Sequence, residues 1–319
     1  MTLSIIIPIY NTKNLTINCL KSIFDNPPKS TFELIVIDNA SSDGTFETIN
    51  KSFPKVILIK NRENVGYAKA NNQGVKIAKG KHILLLNSDV QVKKGDIQDL
   101  VDFINSRKKV GAAAAKLINP NGTTQYYYHR RFPTFISFAA SLLENYFKIS
   151  TPIAKNYFML KEKFDREIEL EQAATSALII KKITIKKIGY LFDEKLPLFF
   201  NDTDLSKRIK KANLKITLSP NTKIVHLRNK STDLLNPFIV REELFISMLY
   251  YFKKHRQIFS YLATKVSLVI LLLVILALNL LNIFTSYFKI PRKKTANFIK
   301  NQLQIILSLI VEKRHISNF

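Results

Sequence analysis

The first ninety residues alternate between short, unbroken apolar runs and polar stretches with helical spacing. The apolar runs predict four strands, at residues 4–9, 34–37, 56–59 and 81–86. The stretches between them predict helices over residues 15–24, 45–52 and 66–74. Apolar runs without polar alternation are typical of strands covered on both faces. The regular strand and helix alternation therefore predicts an α/β fold with a mostly parallel central sheet.

Acidic side chains follow two of the predicted strands directly. Asp38 ends the second strand and Asp43 lies five residues further on, while Asp89 follows the fourth strand. Ligands of open α/β sheets bind beyond the carboxyl ends of the strands, which places Asp38 and Asp43 where a nucleotide would lie. Asp89 is well placed to hold a divalent cation that bridges a diphosphate. The alternative at each position is an Asx turn or a helix cap without any ligand.

The composition limits the partner and the compartment. The net charge of +25 on 319 residues suggests that the partner is anionic lipid or nucleic acid. We expect no binding of nucleic acid, because the sequence shows no basic helix interleaved with aromatic residues. The single cysteine, Cys19, excludes an intramolecular disulfide and fits a reducing compartment. The N-terminal apolar run is too short for a signal peptide, so we expect the catalytic part to face the cytoplasm.

Four motifs in order resemble glycosyltransferase family 2. They lie at residues 5–11, 36–45, 64–74 and 85–89. The resemblance implies the GT-A fold, with a Rossmann-like nucleotide-binding half and an acceptor half. It also implies a nucleotide-diphosphate sugar donor, Mg²⁺ or Mn²⁺, and transfer with inversion at the anomeric carbon. Within the family the chain is most similar to rhamnosyltransferase-like enzymes of bacterial surface polysaccharide assembly, and rhamnose is implied by that similarity alone.

The second half of the chain carries further motifs of this branch. These are a turn and basic segment at 119–134, a small-residue strand at 173–182, an acidic motif at 199–208 and a histidine segment at 224–231. The acidic motif resembles Glu-Asp-x-Asp-Leu-x-x-Arg but has Asn201 in place of glutamate. The histidine segment lacks the usual glycines. Residues 137–168 have an irregular, aromatic-rich pattern that suits an acceptor-side insertion.

An inverting transfer needs a carboxylate that takes the proton of the acceptor hydroxyl. Asp202 is the predicted base and Asp204 the alternative. Either could instead be an N-terminal acid of a helix over residues 203–211, stabilised by the helix dipole. Arg208 lies one turn beyond Asp204 and is expected to contact the donor or to form an ion pair with Asp204.

The resemblance assigns the remaining roles residue by residue. Donor binding falls to Pro8, Asn11, Asp38, Asp43, Asn64, Gly66, Asn71, Asn87 and Arg208. Of these, Asp38 and Asp43 would hold the base and the ribose. Asp89 would bind the metal, and His226 would bind the metal or contact the leaving diphosphate. Arg228 or Lys230 could neutralise phosphate charge.

The C-terminal region predicts association with a membrane. Residues 266–288 form an apolar run without a charged side chain. The run is long enough to cross a bilayer. Basic clusters flank this run on both sides, so the positive-inside rule gives no orientation and a helix lying along the membrane is equally consistent. Residues 298–311 suit an interfacial helix. A buried helix in a soluble or dimeric core is the alternative.

The sequence thus predicts three regions: a nucleotide-sugar half at 1–115, an acceptor and catalytic half at 116–235, and a membrane-associated helical tail at 236–319. The predicted activity is sugar transfer to a lipid-linked or polysaccharide acceptor in cell-envelope glycan synthesis. The rival hypothesis is a non-catalytic, membrane-bound nucleotide-binding module with the same fold. It is motivated by Asn201, the missing glycines near His226 and the single aspartate of the metal motif. A nucleic-acid-binding protein is the third alternative.

Overall fold

A computed structural model describes residues 1–227, 237–285 and 292–312. The strands are β1 (Leu3–Ile9), β2 (Phe32–Asp38), β3 (Ile57–Lys60), β4 (His82–Leu86), β5 (Val90–Gln91), β6 (Val110–Ile118), β7 (Ile168–Glu169), β8 (Ala177–Lys181) and β9 (Lys215–His226). The helices are α1 (Lys13–Asp25), α2 (Thr45–Ser52), α3 (Gly66–Ile77), α4 (Asp96–Asn105), α5 (Phe135–Phe147), α6 (Pro152–Tyr157), α7 (Lys182–Ile188), α8 (Asn201–Lys211), α9 (Pro237–Lys254), α10 (Ile258–Thr285) and α11 (Arg292–Val311).

The described strands form one sheet in the order β3-β2-β1-β4-β8-β6-β9-β5, and β7 pairs with β9 beside this path. The first four strands of this order are parallel. β8 is antiparallel to both neighbours, and β6 and β9 are parallel to each other. The predicted α/β architecture is confirmed. The predicted boundary between residues 115 and 116 falls inside β6, so both halves share the sheet.

The sheet has a hydrophobic core on each face because successive residues of its strands point to opposite sides. Ile5 and Ile7 of β1 join the core that includes α1 and α4, whereas Ile6 joins the core that includes α3 and α8. This two-sided burial explains why the central strands are apolar without alternation.

The carboxyl ends of β1 and β4 diverge. Their pairing ends at Ile6 and Leu85, while β1 continues to pair with β2 as far as Ile9 and Asp38. Pro8 lies beyond the last β1–β4 pair, where its missing N–H breaks no bond to β4. The chain order also reverses here, since β2 and β3 lie on one side of β1 and β4 on the other. A crevice at such a switch point is the usual ligand site of an open α/β sheet.

Residues 137–168, whose sequence pattern gave no element prediction, contain α6 and most of α5. The side chain of Thr134 accepts a hydrogen bond from the N–H of Ser137, and the two residues form a capping box. At the start of α6, the side chain of Thr151 accepts the N–H of Ala154, and Pro152 is the first residue of that helix. A serine at the third position is a weaker sequence signal than the usual glutamate or glutamine, so the helix start was not apparent.

The three C-terminal helices pack on one another around a separate apolar cluster. Tyr251 and Phe252 of α9, Leu268 of α10 and Leu309 of α11 are buried in it. In the part of the chain that the structure describes, no helix has the length and apolar content needed to cross a membrane. Residues 286–288 of the predicted apolar run, and Lys289 after it, lie outside the described ranges.

Candidate active site

The residues predicted for the site gather at the carboxyl edge of the sheet, around the divergence of β1 and β4. Asn11 follows β1, Asp38 ends β2, Asn87 follows β4, and His226 ends β9. Asp89 connects two of these strands, because its carbonyl accepts a hydrogen bond from the N–H of Leu227 at 2.8 Å.

Asn11 joins the loops that follow β1 and β2. Its Oδ1 accepts a hydrogen bond from the N–H of Ser42 at 2.8 Å, and its own N–H donates to Oγ of Ser41 at 2.9 Å. The residue has φ of +50°, a conformation that asparagine tolerates better than most residues. Asn11 therefore holds together the loops that follow β1 and β2.

Asp38 is fully buried, and one of its two carboxylate oxygens accepts a hydrogen bond from the protein. Its Oδ1 accepts a hydrogen bond from the N–H of Ser41 at 3.0 Å, whereas no residue that the structure describes donates a hydrogen bond to Oδ2. Burial raises the pKa of this carboxyl, and the hydrogen bonds from Ser41 oppose that effect. A buried acceptor without a donor is costly, so Oδ2 is available to a ligand N–H or hydroxyl group.

Asp43 has a different environment. It is exposed, and its two oxygens accept backbone hydrogen bonds from Lys13 at 2.9 Å and from Thr45 at 3.1 Å. Its slight burial raises the pKa, but these hydrogen bonds outweigh it and hold the pKa below its usual value. Asp43 thus ties together the first residues of α1 and α2.

The start of α3 contacts the segment before α8 closely. Gly66 has φ of +82°, and a Cβ at this position would lie 3.0 Å from Cβ of Pro197. Oδ1 of Asn64 accepts the N–H of Gly66 at 3.0 Å. In the next turn, Nδ2 of Asn71 donates to the carbonyl of Tyr67 at 2.9 Å, while within the described ranges its buried Oδ1 accepts no hydrogen bond. Asn71 is therefore a second residue that presents a free acceptor.

Asp89 and His226 face each other in the interior. Nε2 of His226 lies 3.4 Å from Oδ1 of Asp89, and both side chains are almost completely buried. Oδ1 of Asp89 accepts no hydrogen bond from the part of the chain that the structure describes.

Gln125 determines which imidazole nitrogen carries the proton. Its Nε2 donates to the carbonyl of His226 at 2.6 Å and to Oδ1 of Asn119 at 2.8 Å. Both partners are acceptors, so the amide orientation is fixed and Oε1 must face Nδ1 of His226, at 2.9 Å. Nδ1 of His226 is then the donor, and Nε2 of the neutral ring presents a lone pair toward Asp89.

This pair fits a divalent cation. A carboxylate oxygen and an imidazole nitrogen that face each other without a proton are usual ligands of Mn²⁺ and related ions, and the outer hydrogen bond to Gln125 is the type that orients a metal-bound histidine. Among the described residues, no three histidine, cysteine or acidic side chains form a cluster that could hold a metal. Two protein ligands would leave the other positions to diphosphate oxygens or water.

Asn87 contacts a polar group that the sequence did not single out. The hydroxyl of Tyr67 lies 3.3 Å from Oδ1 of Asn87 and 3.2 Å from Oγ1 of Thr175. Burial raises the pKa of this phenol, and the negative charges of Asp202 and Asp89 raise it further. Tyr67 is therefore within electrostatic range of both the predicted metal ligand and the predicted base.

Asp202 lies in the first turn of α8. Its Oδ1 accepts the N–H of Thr203 at 2.7 Å, and its Oδ2 accepts Nε2 of Gln172 at 2.7 Å. Burial raises the pKa of this carboxyl, while the positive charge of Arg130 lowers it to a smaller extent. A raised pKa is the property that a general base needs near neutral pH.

Asp204 is buried in an ion cluster. Its Oδ1 is 2.6 Å from Nζ of Lys254 and 2.9 Å from Nε2 of His255, and its Oδ2 is 2.8 Å from Nε of Arg208. Burial raises its pKa, but these partners outweigh it and hold the pKa far below the usual value. Such a carboxylate is a poor proton acceptor, which favours the ion-pair alternative.

Arg208 forms its hydrogen bonds with the protein itself. Besides Asp204, its guanidinium donates to the backbone carbonyls of Tyr190, at 2.7 Å, and of Leu191. Arg208 thus holds the loop before α8 through these bonds.

Asn201, the departure from the acidic motif, has a local explanation. Its Nδ2 donates to the carbonyl of Leu198 at 2.9 Å, and its Oδ1 accepts the N–H of Asp202 at 2.7 Å. An amide performs both functions, whereas an ionised glutamate could only accept.

Three residues of the site were not predicted: Gln125, Tyr67 and Gln172. Gln125 and Tyr67 lie inside motifs that the sequence showed, but glutamine and tyrosine carry no specific signal there. Arg228 and Lys230 lie outside the described residues.

Comparison with known proteins identifies relatives of this chain. The model of "Glycosyl transferase family 2" matches residues 4–170, more than half of the chain. An N-acetylglucosaminyl-diphospho-decaprenol L-rhamnosyltransferase of Mycobacterium tuberculosis is 25% identical over 62% of this chain and 67% of its own. The UDP-Glc:alpha-D-GlcNAc-diphosphoundecaprenol beta-1,3-glucosyltransferase WfaP of Escherichia coli is 36% identical over 33% of this chain and 42% of its own.

The chain spans only part of several of these relatives. A poly(ribitol-phosphate) beta-glucosyltransferase of Bacillus spizizenii is 37% identical over 28% of this chain, and the match covers 15% of that protein.

Two solved structures share the fold over nearly the whole chain. S. aureus TarS 1-349 in complex with UDP-GlcNAc has a TM-score of 0.53 at 16% identity and covers 97% of this chain and 73% of its own. The mannosyltransferase PcManGT from Pyrobaculum calidifontis, in complex with GDP-Man and Mn²⁺, has a TM-score of 0.54 at 14% identity and covers 97% and 86%.

Proposed function

The chain belongs to glycosyl transferase family 2, and on this premise we propose that it transfers a sugar from a nucleotide-diphosphate donor to an acceptor of bacterial cell-envelope glycan synthesis. One observation carries the proposal. Asp89 and His226 present a carboxylate oxygen and an imidazole nitrogen to each other at 3.4 Å, and burial and the charges of both Asp89 and the proposed base Asp202 raise the pKa of the Tyr67 phenol.

In this proposal, residues 1–115 bind the nucleotide. The free oxygen of Asp38 accepts a hydrogen bond from the base, and Asn11 and Asp43 hold the surrounding loops. The free oxygen of Asn71 and the amide of Asn87 line the diphosphate and sugar side. Asp89 and His226 hold Mg²⁺ or Mn²⁺, which when bound stabilises charge on the diphosphate.

Residues 116–235 supply the acceptor side and the base. The acceptor hydroxyl oxygen forms a bond to the anomeric carbon as the bond from that carbon to the diphosphate oxygen breaks, with inversion. The hydroxyl proton moves to a carboxylate oxygen of Asp202. Gln172 and Thr203 each donate to one oxygen of Asp202, so the carboxylate is held in one orientation and retains lone pairs for the proton.

A lipid-linked acceptor is our further proposal. It is supported by the printed activities of the mycobacterial and E. coli relatives, which name sugars on diphospho-decaprenol and diphosphoundecaprenol. Rhamnose as the donor sugar rests on the mycobacterial relative alone. A polysaccharide acceptor is the alternative.

We also propose that residues 236–319 hold the enzyme on the membrane, with the catalytic part facing the cytoplasm. The support is an apolar stripe on α10 that the protein leaves exposed, at Ile258, Phe259, Leu262, Val266 and Ile270.

Donor turnover tests the proposed activity. The purified chain is incubated with UDP-glucose, UDP-N-acetylglucosamine, GDP-mannose and a nucleotide-diphospho-rhamnose, with Mg²⁺ or Mn²⁺ and with a polyprenyl-diphosphate-linked N-acetylglucosamine as acceptor. We expect one nucleoside diphosphate to be released, and a chelator to stop the release. Nucleotide binding without release from any donor, with membrane lipid extract also supplied, would instead support a non-catalytic nucleotide-binding module.

A further inference from the structure

The last turn of α9 contacts the segment that carries the proposed base. Nζ of Lys254 lies 2.7 Å from Oδ2 of Asp193 and 2.6 Å from Oδ1 of Asp204. Asp193 and Asp204 bracket residues 193–204, and Asp202 lies within this segment. One ammonium group of the C-terminal helices therefore holds both ends of the catalytic segment.

His255 adds a directed hydrogen bond to the same carboxylate. Its side chain is 2% exposed, and Nε2 lies 2.9 Å from Oδ1 of Asp204. Nδ1 lies 3.3 Å from Nζ of Lys211. An ammonium can only donate, so Nδ1 is the acceptor and Nε2 carries the proton that is donated to Asp204.

The catalytic segment also needs support because its backbone is strained. Phe200, two residues before Asp202, has φ of +61°, which is unfavourable for a bulky side chain. Its ring packs on Tyr251 of α9, with 5.4 Å between the ring centroids. Such a conformation persists only where the surroundings enforce it, and here α9 supplies part of those surroundings.

The other side of the segment contacts the donor half. The carbonyl of Pro197 accepts the N–H of Ala68 at 3.1 Å, and Pro197 packs against Gly66. The segment thus lies between α3 on the donor side and α9 on the tail side, so a shift of α9 would move Asp202 relative to the donor.

We propose that Lys254 and His255 are positioning residues, which set the place of Asp202 through Asp204 and Asp193. The inference rests on the proposed function of Asp202 as the base. It assigns the C-terminal helices a role in the chemical step, beyond any role in membrane attachment. Neither residue touches the reacting atoms.

Four full-length variants test this role. Lys254→Met and His255→Leu remove the two contacts, while His255→Gln keeps an N–H donor that can reach Asp204. Lys253→Met is the matched control, because Lys253 is the neighbouring residue of α9 but pairs with Glu312, at 3.1 Å, within the tail. The measurements are kcat, the KM for the donor, and hydrogen exchange of the α8 amides at residues 201–211.

We expect Lys254→Met and His255→Leu to lower kcat by about 10- to 100-fold, because small misplacements of a catalytic group have effects of this size. The KM for the donor should stay within about twofold. Exchange in α8 should rise in both variants, His255→Gln should recover most of kcat, and Lys253→Met should behave like the wild type. A wild-type kcat in Lys254→Met and His255→Leu would overturn the proposal, as would faster α8 exchange without loss of kcat.

Failure of the proposed function would look different. If the wild-type chain releases no nucleoside diphosphate from any donor, the assignment of Asp202 as the base fails. Hydrogen exchange still tests the contact itself in that case, and unchanged α8 protection in Lys254→Met and His255→Leu would overturn it independently.

Discussion

Nε2 of His226 faces Oδ1 of Asp89 at 3.4 Å inside the protein, and a ring that carries its single proton on Nδ1 has none to place between them. The cause lies in Gln125, whose Oε1 faces Nδ1 of His226 at 2.9 Å and accepts a hydrogen bond from it. Two acceptors at this distance require an imidazolium or a cation between them. The first prediction follows from the presence of a cation.

Replacing Gln125 with leucine should weaken Mn²⁺ binding by about 10- to 100-fold, because outer hydrogen bonds to a metal-bound histidine contribute that much to affinity. The measurement is calorimetric titration of Mn²⁺ in the presence of the nucleoside diphosphate. Gln98→Leu on α4 is the control, since Gln98 bonds only to Ser30 and Asp102 among the contacts described. Equal Mn²⁺ affinity in Gln125→Leu and the wild type would remove His226 from the metal site.

Asp202→Asn should lower the transfer rate by about 10²- to 10⁴-fold, the usual contribution of a general base. Donor affinity should change little, because an amide of the same shape can keep one of the hydrogen bonds. Steady-state transfer and equilibrium binding of the donor measure the two effects.

Asp204→Asn tests whether Asp204 serves the ion cluster while Asp202 serves as the base. Asp204 is fully buried between three basic groups, and loss of one partner of a buried ion pair typically costs about 3–5 kcal/mol of unfolding free energy. We expect denaturant unfolding to show that loss in Asp204→Asn and not in Asp202→Asn. Full transfer activity in Asp202→Asn would place the base elsewhere.

The pH dependence of transfer should report the environment of Asp202. Burial raises its pKa, so the deprotonated base is lost, and the rate falls, at a higher pH than for an ordinary aspartate. Arg130 lowers this pKa, so Arg130→Met should move the acidic limb of kcat/KM to still higher pH. Arg131→Met is the control, because Arg131 pairs with Glu162 and Glu171. An acidic limb that stays in place or moves to lower pH in Arg130→Met would contradict the assigned charge effect.

Much of the nucleotide-side fold could be predicted from local sequence. Unbroken β-branched runs identified β1 and β2, and the polar residues behind them identified the crevice edge, because parallel strands bring their carboxyl ends together. Asp38 needed no long-range information, since a buried strand that ends in an acid already places the acid at that edge.

The functional differences between neighbouring residues could not be predicted in this way. Asp202 and Asp204 have the same local pattern at the start of α8. Lys254 and His255, far along the chain, separate their roles, and no periodicity connects α9 with α8. The tautomer of His226 likewise depends on Gln125, which meets it only because β6 pairs with β9.

The last prediction concerns α10, whose two faces differ. Thr264, Leu268 and Leu272 are buried, whereas Phe259 is 72% exposed in a stripe of apolar residues along the same helix. An exposed apolar stripe of this length marks a surface that another apolar phase covers. If that phase is a bilayer, the full chain should sediment with vesicles that contain anionic lipid.

Phe259→Ser should then lower the vesicle partition coefficient by about tenfold or more, because burying a phenylalanine side chain is worth about 1.5–3 kcal/mol. Ile183→Ser is the matched control, since Ile183 is 68% exposed on α7, outside the C-terminal helices. Equal sedimentation of Phe259→Ser and the wild type would exclude α10 as the lipid-binding surface. An equal loss in Ile183→Ser would show instead that attachment is spread over the basic surface of the protein, and increased salt would then release the chain from the vesicles.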